Sequence, residues 1–479
     1  MPNTIGGAPA LQFRMKSELP NILVKPSATQ KLQAGVAKRE ISPQKPIFLV
    51  GYPHVPRIST GIHDPLYASA LYLDYDGEAI ILIAVDILVI SHETVRTCRT
   101  AITQTTGVPA KNILISATHT HSGPNTSEIL MWKNDPVVPP PDPDYMRFFT
   151  QSIIEAAMAA KTSAVPCRLA ITDGEAYGVG RNRLSPDGIM DYQVGILFVQ
   201  RTSDRSPLAL AMIYGMHPTV LHEDSKLVSS DFPHYTRREI EERLPGITVL
   251  YHNGTCGNLS LRYDVQGQTF AEAERLGRTL GRTVLSAIEK LKESDFHENM
   301  TFSAIQDHVT LPIQKFPSES EAKATLEKAW ANYNRLKVGN TGHASLRTAE
   351  CIVFGAEEAV VLARAQVTGE LETFLKKYRA VEVQVLRLGK TFVVGLPGEL
   401  FVEYGLEIKR CTLGNYSFAI SMANGGLQGY IVTPEAAKVG GYEAALAIFS
   451  PESGAILVNT AIGLMKRMRG GAKTITQRK

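Results

Sequence analysis

Apolar positions along this chain recur with two different periods, and the switches between them mark its elements. After a mixed, turn-rich stretch over residues 1–33, the pattern from "LQAGVAKREISP" onward reads strand, loop, strand. "ALYLDYDGEAIILIAVDILVI" is two strand-length runs broken at Asp76-Gly77, a pair suited to the positive φ of a tight hairpin turn. "SHETVRTCRTAITQTTG" has helical spacing and a stop at Gly107, and "NILISATHTH" returns to strand. This strand–helix–strand order predicts an α/β fold, a mixed β-sheet core flanked by helices.

Further along, "MRFFTQSIIEAAMAAK" places Phe149, Ile153, Ala157 and Ala160 on one helical face. "PLALAMIYGMHP" is a buried strand, and "SSDFPHYTRREIEERL" starts a helix with Asp231 as N-cap and Pro233 in the first turn. "GITVLYHNGTCGN" runs from strand into a glycine-rich turn. Residues 269–293 predict a long helix with Leu276, Leu280, Val284, Ile288 and Leu291 on one face, and 318–338 and 355–378 predict two more. "VEVQVLRLGKTFVVGLPGEL" is a hairpin turning at Gly389. The segment "MWKNDPVVPPPDPDY", residues 131–145, holds too much proline for helix or central strand. It reads as an extended surface connection, or as a lid over a nearby site. No linker divides the rest, so the expected organisation is an N-terminal arm over 1–33 and one large domain over 34–479.

Composition narrows the setting. The 479 residues are 44% hydrophobic and 20% charged, with a net charge of +3 and no Lys/Arg run, which gives no reason to expect a nucleic-acid partner. The longest apolar run, 79–90, contains Asp86 and is too short to span a membrane. The first thirty or so residues lack a basic region followed by a compact apolar stretch, so no signal peptide is read. Five scattered cysteines without a CxxC pair argue against a disulfide framework or thiolate zinc site. Together these features lead to an expected reduced, cytoplasmic location.

Polar residues recur where predicted strands stop. His119 and His121 follow "NILISAT", His217 follows "ALAMIYGM", Asn253 to Ser260 follow "ITVLY", and Glu399 follows "TFVVGLPG". Ligands of open α/β sheets bind at the carboxyl ends of strands. Strand alternation would also send the His119 and His121 rings to one face. Two imidazoles and a carboxylate suit a catalytic zinc site, which activates water and polarises a carbonyl. Each element alone has a plainer reading: a satisfied polar pair, a loop histidine, a helix cap, a turn serine.

Taken in order, "GIHDPLYASALYL", "ATHTHSGP", "NRLSP", "GMHPT" with "LVSSD", "NGTCGNLS", "LPGE" and "YIVTPE" with "GYE" resemble the neutral ceramidase family, from about residue 33 to residue 445. The resemblance implies that family's catalytic fold and its chemistry, zinc-dependent release of a fatty acid from a sphingoid amine. It implies one zinc per chain on His119, His217, Glu399 and Tyr430. It also implies substrate-facing roles for His121, Arg183 and Tyr442, and a catalytic serine at Ser260. The family's "GDVSPN" is "GNLSLR" here, so Asn258 replaces Asp, and Leu261-Arg262 replace Pro-Asn. Arg181 competes with Arg183 for the arginine role. No counterpart of the family's C-terminal immunoglobulin-like domain is expected in the remaining length.

The expected function is therefore zinc-dependent hydrolysis of an amide (N-acyl) bond, ceramidase-like, on a small-molecule or lipid-like substrate other than or including ceramide. Water activated at the ion or the Ser260 hydroxyl would be the nucleophile. Two alternatives stay open: a barrel-type metal-dependent amidohydrolase or esterase, where an HxH pair also opens the site, and a non-catalytic lipid- or glycan-binding relative.

Overall fold

The computed structural model describes residues 31–470 except Pro53, Asn134, Asn340 and Thr412; residues 1–30 of the expected arm lie outside the described residues. The first strong pattern folds as read. β1 (Gln33–Glu40) pairs with β2 (Tyr67–Tyr75), which turns into β3 (Glu78–Val85) through Asp76 and Gly77 at φ 60° and 80°. The Asp74 carboxylate accepts the Gly77 N–H across that turn. α1 (His92–Thr106) is capped by the Ser91 hydroxyl and stopped by Gly107 in the left-handed region, and it delivers the chain to β4 (Ile113–Ala117), parallel to β3.

The same device recurs. After α2 (Pro143–Thr162), β5 (Val165–Glu175) and β6 (Gln193–Arg201), β7 (Pro207–Tyr214) crosses through α3 (Phe232–Arg243) to the parallel β8 (Thr248–Asn253). These strands form one eight-stranded sheet in the order β8-β7-β6-β5-β1-β2-β3-β4. α4 (Phe270–Glu289) leads to a four-stranded sheet, β9 (Phe302–Val309), β10 (Val381–Leu388), β11 (Thr391–Gly395) and β12 (Tyr416–Ile420). α5 (Glu319–Val338), α6 (His343–Thr368) and α7 (Glu370–Leu375) intervene between β9 and β10. α8 (Val402–Arg410) is the crossover between the parallel β11 and β12.

The two sheets pack face to face through Leu71, Leu82, Leu197 and Leu250 on one side and Leu386, Val393 and Phe418 on the other. Helices cover both outer faces: α1 and α2 over β1–β4, α3 and α4 over β5–β8, and the C-terminal helix Ser453–Gly470 over the smaller sheet. Both faces of β3 and β4 are thus buried, which is why the chain shows continuous apolar runs such as 79–85 rather than clean alternation. A mixed sheet of this order is not a ring of eight parallel strands, so the barrel-type alternative does not fit the fold. Among the described residues, no helix is long and apolar enough to cross a membrane.

The large sheet curls until its edge strands meet. Ser116 Oγ on β4 lies 2.8 Å from His252 Nδ1 on β8. The segment after β12 seals the seam: Ser421 N–H donates to Asn253 O at 2.9 Å, and Asn424 N–H to Ile115 O at 2.7 Å. The carboxyl ends of β4, β7, β8 and β11 are thereby drawn to one place.

Element boundaries differ from expectation at four places, one being Gly369, which in the left-handed region breaks the helix expected over 355–378 between α6 and α7. Residues 143–145 of the proline-rich segment are the first turn of α2, because Pro143 at the start of a helix donates no hydrogen bond that is missed and Asp142 caps it. The helix expected over 269–293 ends at Glu289. α6 begins at His343, twelve residues before the expected 355; Gly355 reads as a breaker but is accommodated because Tyr442 packs against it.

Candidate metal centre and active site

β4 stops at Ala117, and the chain reverses with His119 at φ 71°, a left-handed conformation that costs a non-glycine residue on the order of 1 kcal/mol or more. This corrects the expectation that strand alternation aligns the two imidazoles. Both lie beyond the strand, and the left-handed turn sets the rings edge to face with centroids 5.1 Å apart. Gly51, at φ 124°, makes room for the second ring: a Cβ there would stand 2.7 Å from His121 Cβ. His217 arrives from the end of β7, its ring 4.8 Å from that of His119.

Backbone carbonyls fix all three tautomers. His119 Nδ1 faces Leu88 O at 2.8 Å, His121 Nδ1 faces Gly51 O at 2.9 Å, and His217 Nδ1 faces Cys256 O and Leu259 O, each at 2.9 Å. A carbonyl only accepts, so each Nδ1 carries the hydrogen and each Nε2 presents a lone pair. One ring nitrogen from each histidine lies within 4.8 Å of the others, and the Nε2 atoms of His119 and His121 are buried without a hydrogen-bond partner among the described residues.

Glu399 closes the group. Its Oε2 lies 3.1 Å from His217 Nε2 and 3.4 Å from His119 Nε2. Gly257 permits this approach of the β11 end, since a Cβ there would meet Glu399 O at 2.6 Å. Burial lowers His217 to about 4, and burial followed by the neighbouring rings holds His121 well below its ordinary value. The Glu399 carboxylate therefore faces the lone pair of a neutral His217, with His119 Nε2 beside it, an arrangement of acceptors that a cation satisfies. Nitrogen and oxygen donors without thiolate suit zinc among the common divalent ions; burial raises the adjacent Cys256 thiol far from ionisation.

Tyr430 is the register partner of Glu399 in a short parallel pair, Glu399–Leu400 with Tyr430–Ile431. Its ring lies 6.4 Å from that of His217 and 5.7 Å from that of Tyr442, which opens a short helix (Tyr442–Leu446). Arg183 is buried; its Nε donates to Glu443 Oε1 at 2.6 Å, its guanidinium stands 5.2 Å from the Tyr430 ring centre, and its Nη2 has no hydrogen-bond partner among the described residues. Arg181 is the exposed residue of the two and pairs with Asp264, so Arg183 is the arginine of the site.

Ser260 is buried, and its Oγ accepts the Arg262 N–H at 3.3 Å; among the described residues no histidine is hydrogen-bonded to it. Asn258, where the family motif has Asp, does not address the serine. Its Nδ2 donates to Glu403 and its Oδ1 accepts the Val402 N–H, tying the loop to α8.

Two cavities share the wall formed by Gly51, His121, Tyr430 and Tyr442. One is polar and adds Arg183, His217 and Ser260; the other adds His119 and Glu399 to an apolar lining that includes Leu88, Ile129, Met131 and Trp132. All eight residues singled out in the sequence thus border one site, and the proline-rich segment contributes its first two residues to it. The sequence reading missed Gly51, Glu443 and Glu358. Glu443 and Glu358 lie in helical stretches where a carboxylate ordinarily means solvent.

The family model described as neutral/alkaline non-lysosomal ceramidase, N-terminal, matches residues 33–254. The crystal structure of neutral ceramidase from Pseudomonas aeruginosa shares the fold with a TM-score of 0.73 at 18% identity, over 94% of this chain and 76% of that one. A ceramidase complexed with C2 gives 0.72 at 16% identity, over 94% and 77%. The matched segment holds His119, His121, Arg183 and His217, and the shared fold extends over the remaining site residues: residues 33–254 match the neutral/alkaline non-lysosomal ceramidase N-terminal domain, and the chain has the neutral ceramidase fold.

Proposed function

We propose that the protein is a zinc-dependent amidase that hydrolyses the N-acyl bond of a lipid-like amine. The observation that carries this reading is the set of three Nδ1–H groups held by backbone carbonyls, which leaves Nε2 lone pairs converging on the Glu399 carboxylate. His119, His217 and Glu399, with Tyr430 beside them, would hold the ion, and His121 is the third imidazole of the cluster. Zinc there supplies a Lewis acid for the scissile carbonyl and acidifies water.

The protein's own groups do the rest. Arg183 Nη2, already desolvated and oriented by Glu443, donates to the carbonyl oxygen as its charge develops. His121 is neutral and offers a lone pair at Nε2 to a proton of the attacking water. Tyr442, kept neutral by burial, offers its hydroxyl to the leaving amine. Among the described residues Ser260 has no hydrogen-bonded base, which favours attack by water over an acyl-enzyme. The apolar chamber behind Met131 and Trp132 takes a hydrocarbon arm of the substrate.

Metal analysis and a panel of N-acylated amines of varied chain length test the proposal. Expected are one zinc per chain, hydrolysis lost to a chelator and restored by zinc, and loss of both zinc and turnover in His119→Ala. Stoichiometric zinc in that variant, or hydrolysis indifferent to chelation, overturns it.

A further inference from the structure

α6 carries a carboxylic acid into the apolar chamber that the chemistry above does not use. Glu358 lies one helical turn from Gly355, on the face of α6 that packs against Tyr442. It is 1% exposed and lines the chamber together with Met131, Trp132 and Glu399. Its Oε1 accepts the Trp132 Nε1–H at 2.9 Å. Its Oε2 is buried and has no hydrogen-bond partner among the described residues.

Burial, reinforced by the acidic Glu357, Glu399 and Asp135, raises this carboxyl to about 8 against the opposing Trp132 hydrogen bond. The acid is therefore protonated near neutral pH. Because Trp132 donates to Oε1, the hydrogen resides on Oε2, and a hydroxyl donor is left without an acceptor among the described residues. Such a group is costly when it meets only methylenes and is satisfied by an oxygen at the same place.

We propose that Glu358 is a specificity-determining residue whose Oε2–H donates to an oxygen substituent on the substrate arm that enters the chamber. This rests on the amidase reading and names what the site selects: an N-acyl amine oxygenated near the amide, over one whose arms are plain hydrocarbon. A site built to hydrogen-bond a substrate hydroxyl rejects the analogue lacking it far more strongly than an apolar pocket discriminates by size.

The test uses three N-acyl amines of equal chain length, one plain, one with a hydroxyl near the amide on the acyl arm, and one with it on the amine arm. For the zinc-loaded wild type, kcat/KM is expected to favour one hydroxylated form by roughly tenfold or more over the plain one. Glu358→Leu abolishes that ratio. Glu358→Gln keeps it, since the amide still accepts from Trp132 and presents N–H where the acid presented O–H. Retention of the ratio in the leucine variant, or equal loss in both variants, overturns the inference; melting curves confirm that each variant is folded. Calorimetric binding of the same three amides to chelated protein separates this idea from the amidase reading. If no amide is cleaved, the amidase reading falls, while the binding order still judges Glu358. Indistinguishable binding by wild type and Glu358→Leu, including no binding by either, overturns its role.

Discussion

Replacing Glu399 with glutamine changes almost no volume yet removes the one carboxylate facing the imidazoles, and it should move stability in opposite directions with and without metal. Each unit of cation charge about 4 Å from a carboxylate is worth about 4 kcal/mol at an effective dielectric constant of about 20. Part of this is offset because a buried carboxylate is costly to desolvate. A net loss of about 3 kcal/mol corresponds to a zinc affinity weakened by about 100-fold. Without metal the sign reverses. In the native protein Oε2 stands 3.1 Å from the lone pair of a neutral His217, two acceptors in contact. The glutamine amide donates there, which should stabilise the chelated variant by about 1–3 kcal/mol.

For a folded region of this size, with an unfolding entropy of about 0.9 kcal/mol per kelvin, that gain is about 1–3 °C in Tm. Saturating zinc at about 1,000 times its Kd contributes about 4 kcal/mol, so wild type should rise by about 4–5 °C on loading, and the variant by much less. Melting curves in chelator and in zinc, together with competition against a zinc indicator, read both effects. A Glu399→Gln protein that binds zinc as tightly as wild type and melts lower in chelator would refute the reasoning about lone pairs.

Two further outcomes probe the scaffold. Asp86, at the end of β3, is fully buried and held by both Arg237 Nη atoms at 2.8 and 2.9 Å, joining the first crossover unit to α3. Asp86→Ala strands that guanidinium and should cost about 3–5 kcal/mol, seen as a Tm fall of several degrees with zinc stoichiometry unchanged; a shift within one degree would contradict it. His252, under the sheet seam, is lowered to about 3 by burial alone. Its folded value lies below its unfolded one near 6.5, so the unfolded chain binds the extra proton between them. Stability is therefore present above pH about 6.5 and lost as pH falls toward 3, by up to about 1.4 kcal/mol per pH unit. Urea unfolding of chelated His252→Leu should show a pH slope reduced by that amount, and an unchanged slope would exclude the assignment.

What could be read from the chain, and what could not, follows from how far each determinant acts. The β2–β3 turn, the stop of α1 and the cap of α3 were legible because Asp76-Gly77, Gly107 and Asp231 act on their own neighbours. The start of α6 was not, because what admits Gly355 is Tyr442, nearly ninety residues later. The site residues were legible only as an ordered series of short motifs. Their geometry was hidden: the groups that aim the histidines are the carbonyls of Leu88, Gly51, Cys256 and Leu259, and a carbonyl has no side-chain signature. Glu358 was invisible for the converse reason, since Glu357-Glu358 on a helix looks like a solvated edge until Trp132 and Tyr442 cover it.

The topology explains why local reading failed where the ordered series succeeded. Each of the parallel pairs β3/β4, β7/β8 and β11/β12 needs a helical crossover, so each brings its polar strand ends out on one side of its sheet. The curl of the large sheet and the inserted segment 421–424 then superimpose three such ends. His119 and His121 come from the first, His217 and Ser260 from the second, Glu399 and Tyr430 from the third. A substitution that loosens the seam, such as one at Asn424, whose side chain joins Ile115 to Gln384, should therefore disturb metal affinity without touching a ligand, because it removes one of the buried ties between the first and third units.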